Sequence, residues 1–164
     1  MDILCLKVMI SPATSGLETD WMDEFMAFCD ALNCRIDYIG AHLYKAPKSG
    51  TGSGSVDDRM EALRAFSERY GKKLWLTETA MANEANETKI VEFVEEFLPR
   101  LEHADFIHKY SWYYTRYYED HDHDLDSYFW LDSYNSLLDD SGPTLSAVGR
   151  AFDQPWHLEK YKPK

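Results

Sequence analysis

Lys73-Leu74-Trp75-Leu76-Thr77-Glu78 is the stretch whose reading decides the fold. The apolar run is too short for a helix and ends on a carboxylate, so it reads as a buried strand of a parallel sheet. On its N-terminal side lies a helix-length segment, Val56 to Tyr70, with Met60, Leu63, Ser67 and Tyr70 along one face. Asp57 is its expected cap and Gly71 its expected stop. On the C-terminal side a second helix, Glu87 to Glu102, carries Ile90, Val91, Val94, Phe97, Leu98 and Leu101. Pro99 is expected to end or kink that helix.

Further out, the same alternation continues. Arg35 to Tyr44 and Phe106 to Tyr114 read as strands, and so does Leu6-Lys7-Val8-Met9-Ile10-Ser11-Pro12. A helix after this first strand shows Trp21, Met22, Phe25, Phe28, Cys29 and Leu32 as one stripe at helical spacing, with Thr19 or Asp20 as cap. A short helix is expected near Thr144 to Phe152, and residues 154–164 read as an irregular tail. The glycine- and serine-rich run from Lys45 to Ser55 reads as a βα loop, because the rhythm continues across it and no Gly-Lys-Ser/Thr follows for phosphate binding.

Four strand–helix units imply a parallel sheet with covering helices. Two architectures compete: an open doubly wound sheet, and a (β/α)₈ TIM barrel or part of one. A whole barrel needs roughly 250 residues. The 164 residues here hold four units, so the barrel reading is a half barrel.

Composition narrows the partners. With 17 Lys+Arg against 29 Asp+Glu the net charge is −12, which repels phosphates and argues against nucleic acid. No apolar run approaches the roughly 20 residues that cross a bilayer as a helix, so no membrane partner is expected. Met1-Asp2-Ile3-Leu4-Cys5-Leu6-Lys7 is not a signal peptide, so the chain is either cytoplasmic or a piece of something longer. Cys29 and Cys34 are close enough in sequence to bridge or to be two small buried thiols. Asn86-Glu87-Thr88 is a glycosylation sequon, relevant only to a secreted chain.

Parallel βα folds place their chemistry at the carboxyl ends of the strands. Period two sets Tyr38, Gly40, His42 and Tyr44 on one strand face and Ile39, Ala41 and Leu43 on the other. The aliphatic set should meet the helices, which turns His42 and Tyr44 inward. Leu74, Leu76 and Glu78 are expected to share a face, and a carboxylate ending an apolar strand is costly to bury unless paired or used. A salt bridge at the rim is the plainer reading of Glu78; a catalytic carboxylate is the sharper one. Tyr110, Trp112 and Tyr114 face one way and could present an aromatic platform to a sugar ring, or pack as core. The run Tyr117 to Asp126, with His121 and His123, alternates metal-ligand types but matches no named motif. It is read as a solvated loop; no metal and no other cofactor is expected.

Together these residues resemble a known family. Ser11-Pro12-Ala13, Trp21-Met22-Asp23-Glu24-Phe25, Cys34 to Tyr44, Leu74-Trp75-Leu76-Thr77-Glu78-Thr79-Ala80, Tyr110-Ser111-Trp112-Tyr113, and Ser136-Leu137-Leu138 with Thr144 to Gly149 come in the order of the alkali-sensitive-linkage-type glycosyl hydrolase catalytic core. That family includes endo-β-1,3-glucanases of fungi and bacteria. The resemblance runs from about Val8 to Phe152. It implies a TIM barrel, retaining cleavage of a β-1,3-glucan, and an extracellular or cell-wall location. It places the nucleophile on Glu78, the sugar site nearest the cleaved bond on His42 and Tyr44, and that subsite's floor on Trp112.

One departure stands out. The family's acid/base glutamate follows an Asn-Glu motif on the fourth barrel strand. The dipeptides Asn83-Glu84 and Asn86-Glu87 lie past Glu78 near a helix start and do not replace it. The chain therefore resembles strands five to eight alone: one catalytic-core domain over residues 1–164 with the N-terminal half of the barrel missing. A non-catalytic carbohydrate-binding or structural remnant is the alternative function. A half barrel also has open sheet edges, which invite self-association.

Overall fold

The computed structural model describes residues 8–46, 54–117 and 131–154. Helix α1 (Thr19–Ala31) leads into strand β1 (Ile39–Leu43). Helix α2 (Val56–Tyr70), strand β2 (Leu74–Thr79), helix α3 (Glu87–His103) and strand β3 (Ile107–Trp112) follow. A 3₁₀ turn (Ser133–Asn135) and helix α4 (Ala147–Phe152) complete the order.

The three strands form a parallel sheet in the order β1-β2-β3. Neighbours in sequence are neighbours in space. Right-handed crossovers between such strands lay the connecting helices α2 and α3 on one face of the sheet. A doubly wound sheet needs a reversal of strand order, and none occurs among the described strands. The residues expected to form the first strand make a lesser contact: Ile10 forms an isolated parallel bridge to Tyr38. Ser11 N donates to Tyr38 O at 3.0 Å, and Gly40 N donates to Ser11 Oγ at 2.9 Å. A Cβ on Gly40 would stand 2.7 Å from Ser11 O, so this close approach requires glycine.

The core lies between sheet and helices. Ile39, Ala41 and Leu43 of β1 and Leu74 and Leu76 of β2 are buried against Leu63, Phe66, Ile90, Val94, Phe97 and Leu101. The aliphatic face expected on β1 is the one that meets the helices. Helix α2 keeps its expected bounds, but Ser55 caps it rather than Asp57. The Ser55 hydroxyl accepts from Asp58 N while the Asp58 carboxylate accepts from Ser55 N. Gly71 ends it at φ 60°, the left-handed stop a glycine favours.

Two helical expectations are corrected. Helix α3 continues through Pro99 to His103. Proline removes one hydrogen bond, but Leu98 and Leu101 on either side are fully buried, and their packing holds the last turn. The apolar stripe of α1 splits: Met22 and Cys29 are buried, whereas Phe28 is 70% and Leu32 76% exposed. Neither expected residue caps α1; Glu18 stands at the cap and makes no side-chain capping bond. Cys29 and Cys34 are free thiols, one buried and one exposed. The Cys29 thiol is pushed up to about 11, first by its hydrogen bond with Cys34 and then by burial.

Candidate active site

An irregularity in β2 builds the site. Ala41 pairs with Leu76, but the next residue of β1, His42, pairs with Glu78. Thr77 is thus an extra residue, a bulge of the kind that re-aims side chains beside active sites. This corrects the expectation that Glu78 shares a face with Leu74 and Leu76. Those leucines are fully buried under the helices, while Glu78 steps to the His42 side, away from them. Thr79 then falls opposite Leu43, is fully buried, and donates its hydroxyl to Leu43 O at 2.6 Å.

On the helix-free face the Glu78 carboxylate is held from two sides. Tyr44 donates its hydroxyl to Glu78 Oε2 at 2.5 Å. His42 Nδ1 lies 3.3 Å from the same oxygen. Oε1 has no hydrogen-bond partner among the described residues, and 34% of the Glu78 side chain is exposed. One oxygen is therefore held by the protein, while the other is left without a partner among the described residues on a partly exposed side chain. Tyr44 is 8% exposed. Burial first, and the Glu78 carboxylate second, raise its phenol well above the ordinary tyrosine range. The hydroxyl stays protonated and serves as a donor to Glu78.

The aromatic residues of β3 are placed differently from the expectation. Leu74 pairs with Ile107, yet Trp75 pairs with Lys109, so His108 is an extra residue. The slip sets Tyr110 beside Leu76, and Trp112 pairs with Thr79; both partners point at the helices. Tyr110 donates its hydroxyl to Glu102 Oε1 at 2.7 Å and packs edge-on against Phe152. Trp112 donates its indole N–H to Asn135 O at 2.7 Å, its ring 6.3 Å from Phe93. Neither side chain is brought to Glu78, which corrects their placement in a sugar platform. Tyr114 stays on the strand-end side, donating to Asp132 O at 3.3 Å. Its ring stacks on Tyr117 at 4.9 Å.

Sequence reading missed Tyr113. Its backbone N–H donates to Thr79 O at 2.8 Å, which ties the end of β3 to the residue after Glu78. Its ring meets the Tyr44 ring edge-on at 5.8 Å, and the side chain is 41% exposed. Tyr44, Tyr113, Tyr114 and Tyr117 form a run of aromatic contacts leading away from the carboxylate. Odd-even counting along β3 hides Tyr113, because it assigns the other face to binding.

Arg59 of α2 was also missed. Its side chain is fully buried, the opposite of the usual place for arginine. Nη2 donates to Tyr44 O at 2.7 Å and Nη1 to Ala80 O at 3.3 Å. The guanidinium lies 4.6 Å from the Phe93 ring centroid. It joins the two chain segments that leave β1 and β2, just past the residues that meet at Glu78. The loop after β2 has a second anchor in Asn135, fully buried, which accepts from Met81 N at 3.0 Å and donates to Met81 O at 3.2 Å.

The expected His121–His123 loop lies outside the described residues, as do the tail from 155 and the middle of the Lys45–Ser55 loop. Among the described residues no helix is long and apolar enough to cross a membrane.

Comparisons with known proteins agree with this fold. Residues 6–152 match the family described as glycosyl hydrolase catalytic core. Alkali-sensitive linkage protein 1 of Schizosaccharomyces pombe is 32% identical over 108 residues, covering 63% of this chain and 18% of that protein. A subgroup II endo-β-1,3-glucanase of family GH128 from Sorangium cellulosum superposes with a TM-score of 0.66 at 28% identity, over 88% of this chain and 54% of the enzyme. A subgroup VII oligosaccharide-binding protein of the same family from Cryptococcus neoformans gives a TM-score of 0.65 at 16% identity, over 95% of this chain and 54% of that one. The chain thus spans about half the length of these solved relatives and less than a fifth of the yeast protein. With its parallel α/β fold and a family match across nearly all of its length, the chain belongs to the glycosyl hydrolase catalytic core family.

Proposed function

We propose that this chain is the nucleophile-bearing part of a retaining β-1,3-glucanase, its four strand–helix units corresponding to strands five to eight of a TIM barrel. The observation that carries the reading is Glu78: a partly exposed strand-end carboxylate with Oε2 held by Tyr44 and His42 and Oε1 without a partner among the described residues. Oε1 attacks the anomeric carbon of the sugar. Tyr44 and His42 hold the carboxylate in line and contact the same sugar. Tyr113 and Tyr114, past the end of β3, offer ring faces to the glucan. The extracellular or cell-wall setting is part of this reading and rests on the family resemblance.

Retaining hydrolysis needs a second carboxyl group about 5–5.5 Å from the first, to protonate the leaving oxygen and then activate water. Glu78 is the only Asp or Glu on β1, β2 and β3. The acid/base group therefore comes from outside the described strands. This observation favours a second reading, binding without cleavage, and one family relative is itself an oligosaccharide-binding protein. Incubating the chain with laminarihexaose separates the two. New reducing ends are the expected result for the enzyme; saturable binding in calorimetry without product marks the binding protein. Neither binding nor product removes the β-glucan assignment altogether.

The edge of the sheet adds an expectation about assembly. Val8 and Met9 beside β1 are about half exposed, and Phe28 and Leu32 of α1 more so. All four belong to the first unit, whose strand-like segment bonds through its backbone to Asp37 and Tyr38, just before β1, on one side. Apolar side chains beside an open edge favour pairing with a second copy. Light scattering of the purified chain is expected to give a mass above 19.1 kDa. The double variant Phe28→Lys, Leu32→Lys is expected to return it to the monomer value; a monomeric wild type contradicts the expectation.

A further inference from the structure

We propose that Asn86 is an N-glycan acceptor and that its glycan stands on the rim of the strand ends, beside the loop that follows Glu78. The inference rests on the extracellular part of the proposed function and on nothing about catalysis. The triplet Asn86-Glu87-Thr88 has the acceptor pattern, with no proline at its second position. All three residues are exposed.

The geometry separates the two ends of the Asn86 amide. Oδ1 caps α3, accepting from Lys89 N at 3.3 Å. Nδ2, the atom that carries a glycan, makes no hydrogen bond among the described residues. The backbone of Asn86 is extended, at φ −109° and ψ 107°. Glu84 fixes it further, accepting from Asn86 N at 3.0 Å and pairing with Lys89 Nζ at 3.2 Å. A glycosylated Asn86 thus keeps both its cap and its loop contacts, and the sugar leaves toward solvent. Here the oxygen is used by the fold and the nitrogen is left for chemistry.

The donor is an oligosaccharide linked to a lipid diphosphate. The bond from its anomeric carbon to the diphosphate oxygen breaks, and the bond from that carbon to Asn86 Nδ2 forms. The lipid diphosphate leaves, and Nδ2 gives up one proton. Thr88 supplies the hydroxyl the acceptor pattern demands, and its exposed side chain serves no described contact.

The test is secretion of the full chain, behind a supplied leader, from a yeast host. Endoglycosidase H is expected to produce one discrete shift on a denaturing gel, with the modified peptide mapping to Asn86. Thr88→Ala is expected to abolish the shift and Thr88→Ser to retain it. Thr88 caps nothing, so these variants leave the fold intact, unlike Asn86→Gln, which also removes the cap. Secreted protein without the modification, or a shift that persists in Thr88→Ala, overturns the proposal. Laminarihexaose binding measured on the same preparations reports on the glucan reading separately, so either can fail alone.

Discussion

In the enzyme completed by its acid/base half, Glu78→Gln is expected to lower laminarihexaose hydrolysis by a factor of about 10⁴–10⁶, or roughly 5–8 kcal/mol of barrier. Glutamine has the shape of glutamate and can still accept from the Tyr44 hydroxyl. It lacks the charge that attacks the anomeric carbon and that stabilises the positive charge developing on the ring. Binding of the oligosaccharide should survive, because the Tyr113 and Tyr114 rings and His42 are untouched. Stability should change by only about 1 kcal/mol, the difference between a hydrogen bond to a charged and to a neutral acceptor. The sharper form of the test uses Glu78→Ala with added azide or formate. A small anion in the vacated space can attack in place of the carboxylate, so partial recovery of the rate identifies the missing group as the nucleophile. An undiminished rate in Glu78→Gln refutes the role.

Arg59→Ala is expected to destabilise the fold by about 3–5 kcal/mol, the range of large-to-small changes at buried sites. The alanine leaves a void under Phe93 and takes the guanidinium donors from Tyr44 O and Ala80 O. In a chain of this length that loss corresponds to roughly 10 °C in Tm. Arg59→Met discriminates between causes. It refills most of the void and removes the cost of burying a charge, which can offset the lost hydrogen bonds. Tyr44 O also keeps its bond from Ala82 N at 3.2 Å. The methionine variant should therefore lose less than half as much stability as the alanine one. Equal losses in chemical denaturation would place the stabilisation in the hydrogen bonds; an alanine variant within about 1 kcal/mol of wild type would contradict the account.

What the sequence makes legible here follows from how local each signal is. Helix α2 is legible in extent and in its stop, because Gly71 and the apolar spacing are read within the helix itself, although its cap falls on Ser55 and not on Asp57. Strand β1 gives up its two faces to simple alternation, since no irregularity interrupts Ile39, Ala41 and Leu43. The parallel sheet, too, follows from the alternating units, whereas the order of its strands does not and is seen only in the pairing. The facing of Glu78 and of Tyr110 and Trp112 is hidden for one shared reason. Each lies beyond a register slip, and a slip is a property of two paired strands, invisible in either alone. Arg59 is hidden because arginine in a helix reads as surface, and only the tertiary structure shows two carbonyls and two phenylalanine rings waiting for it. The split stripe of α1 is hidden because spacing reveals that a face is apolar, not what covers it.

The extra residue at Thr77 has a consequence for how such chains change over time. Were Thr77 to enter the ladder, the strand would run true and the acidic side chain would turn into the helix layer among leucines. The same composition that makes a site would then make an unstable core. Parity here outweighs residue type: a change that flattens the bulge while sparing every chemically active group would silence them all, whereas a single-codon deletion of Thr77 keeps Glu78 opposite His42. Related chains that share the glutamate are therefore best compared by the pairing just before it.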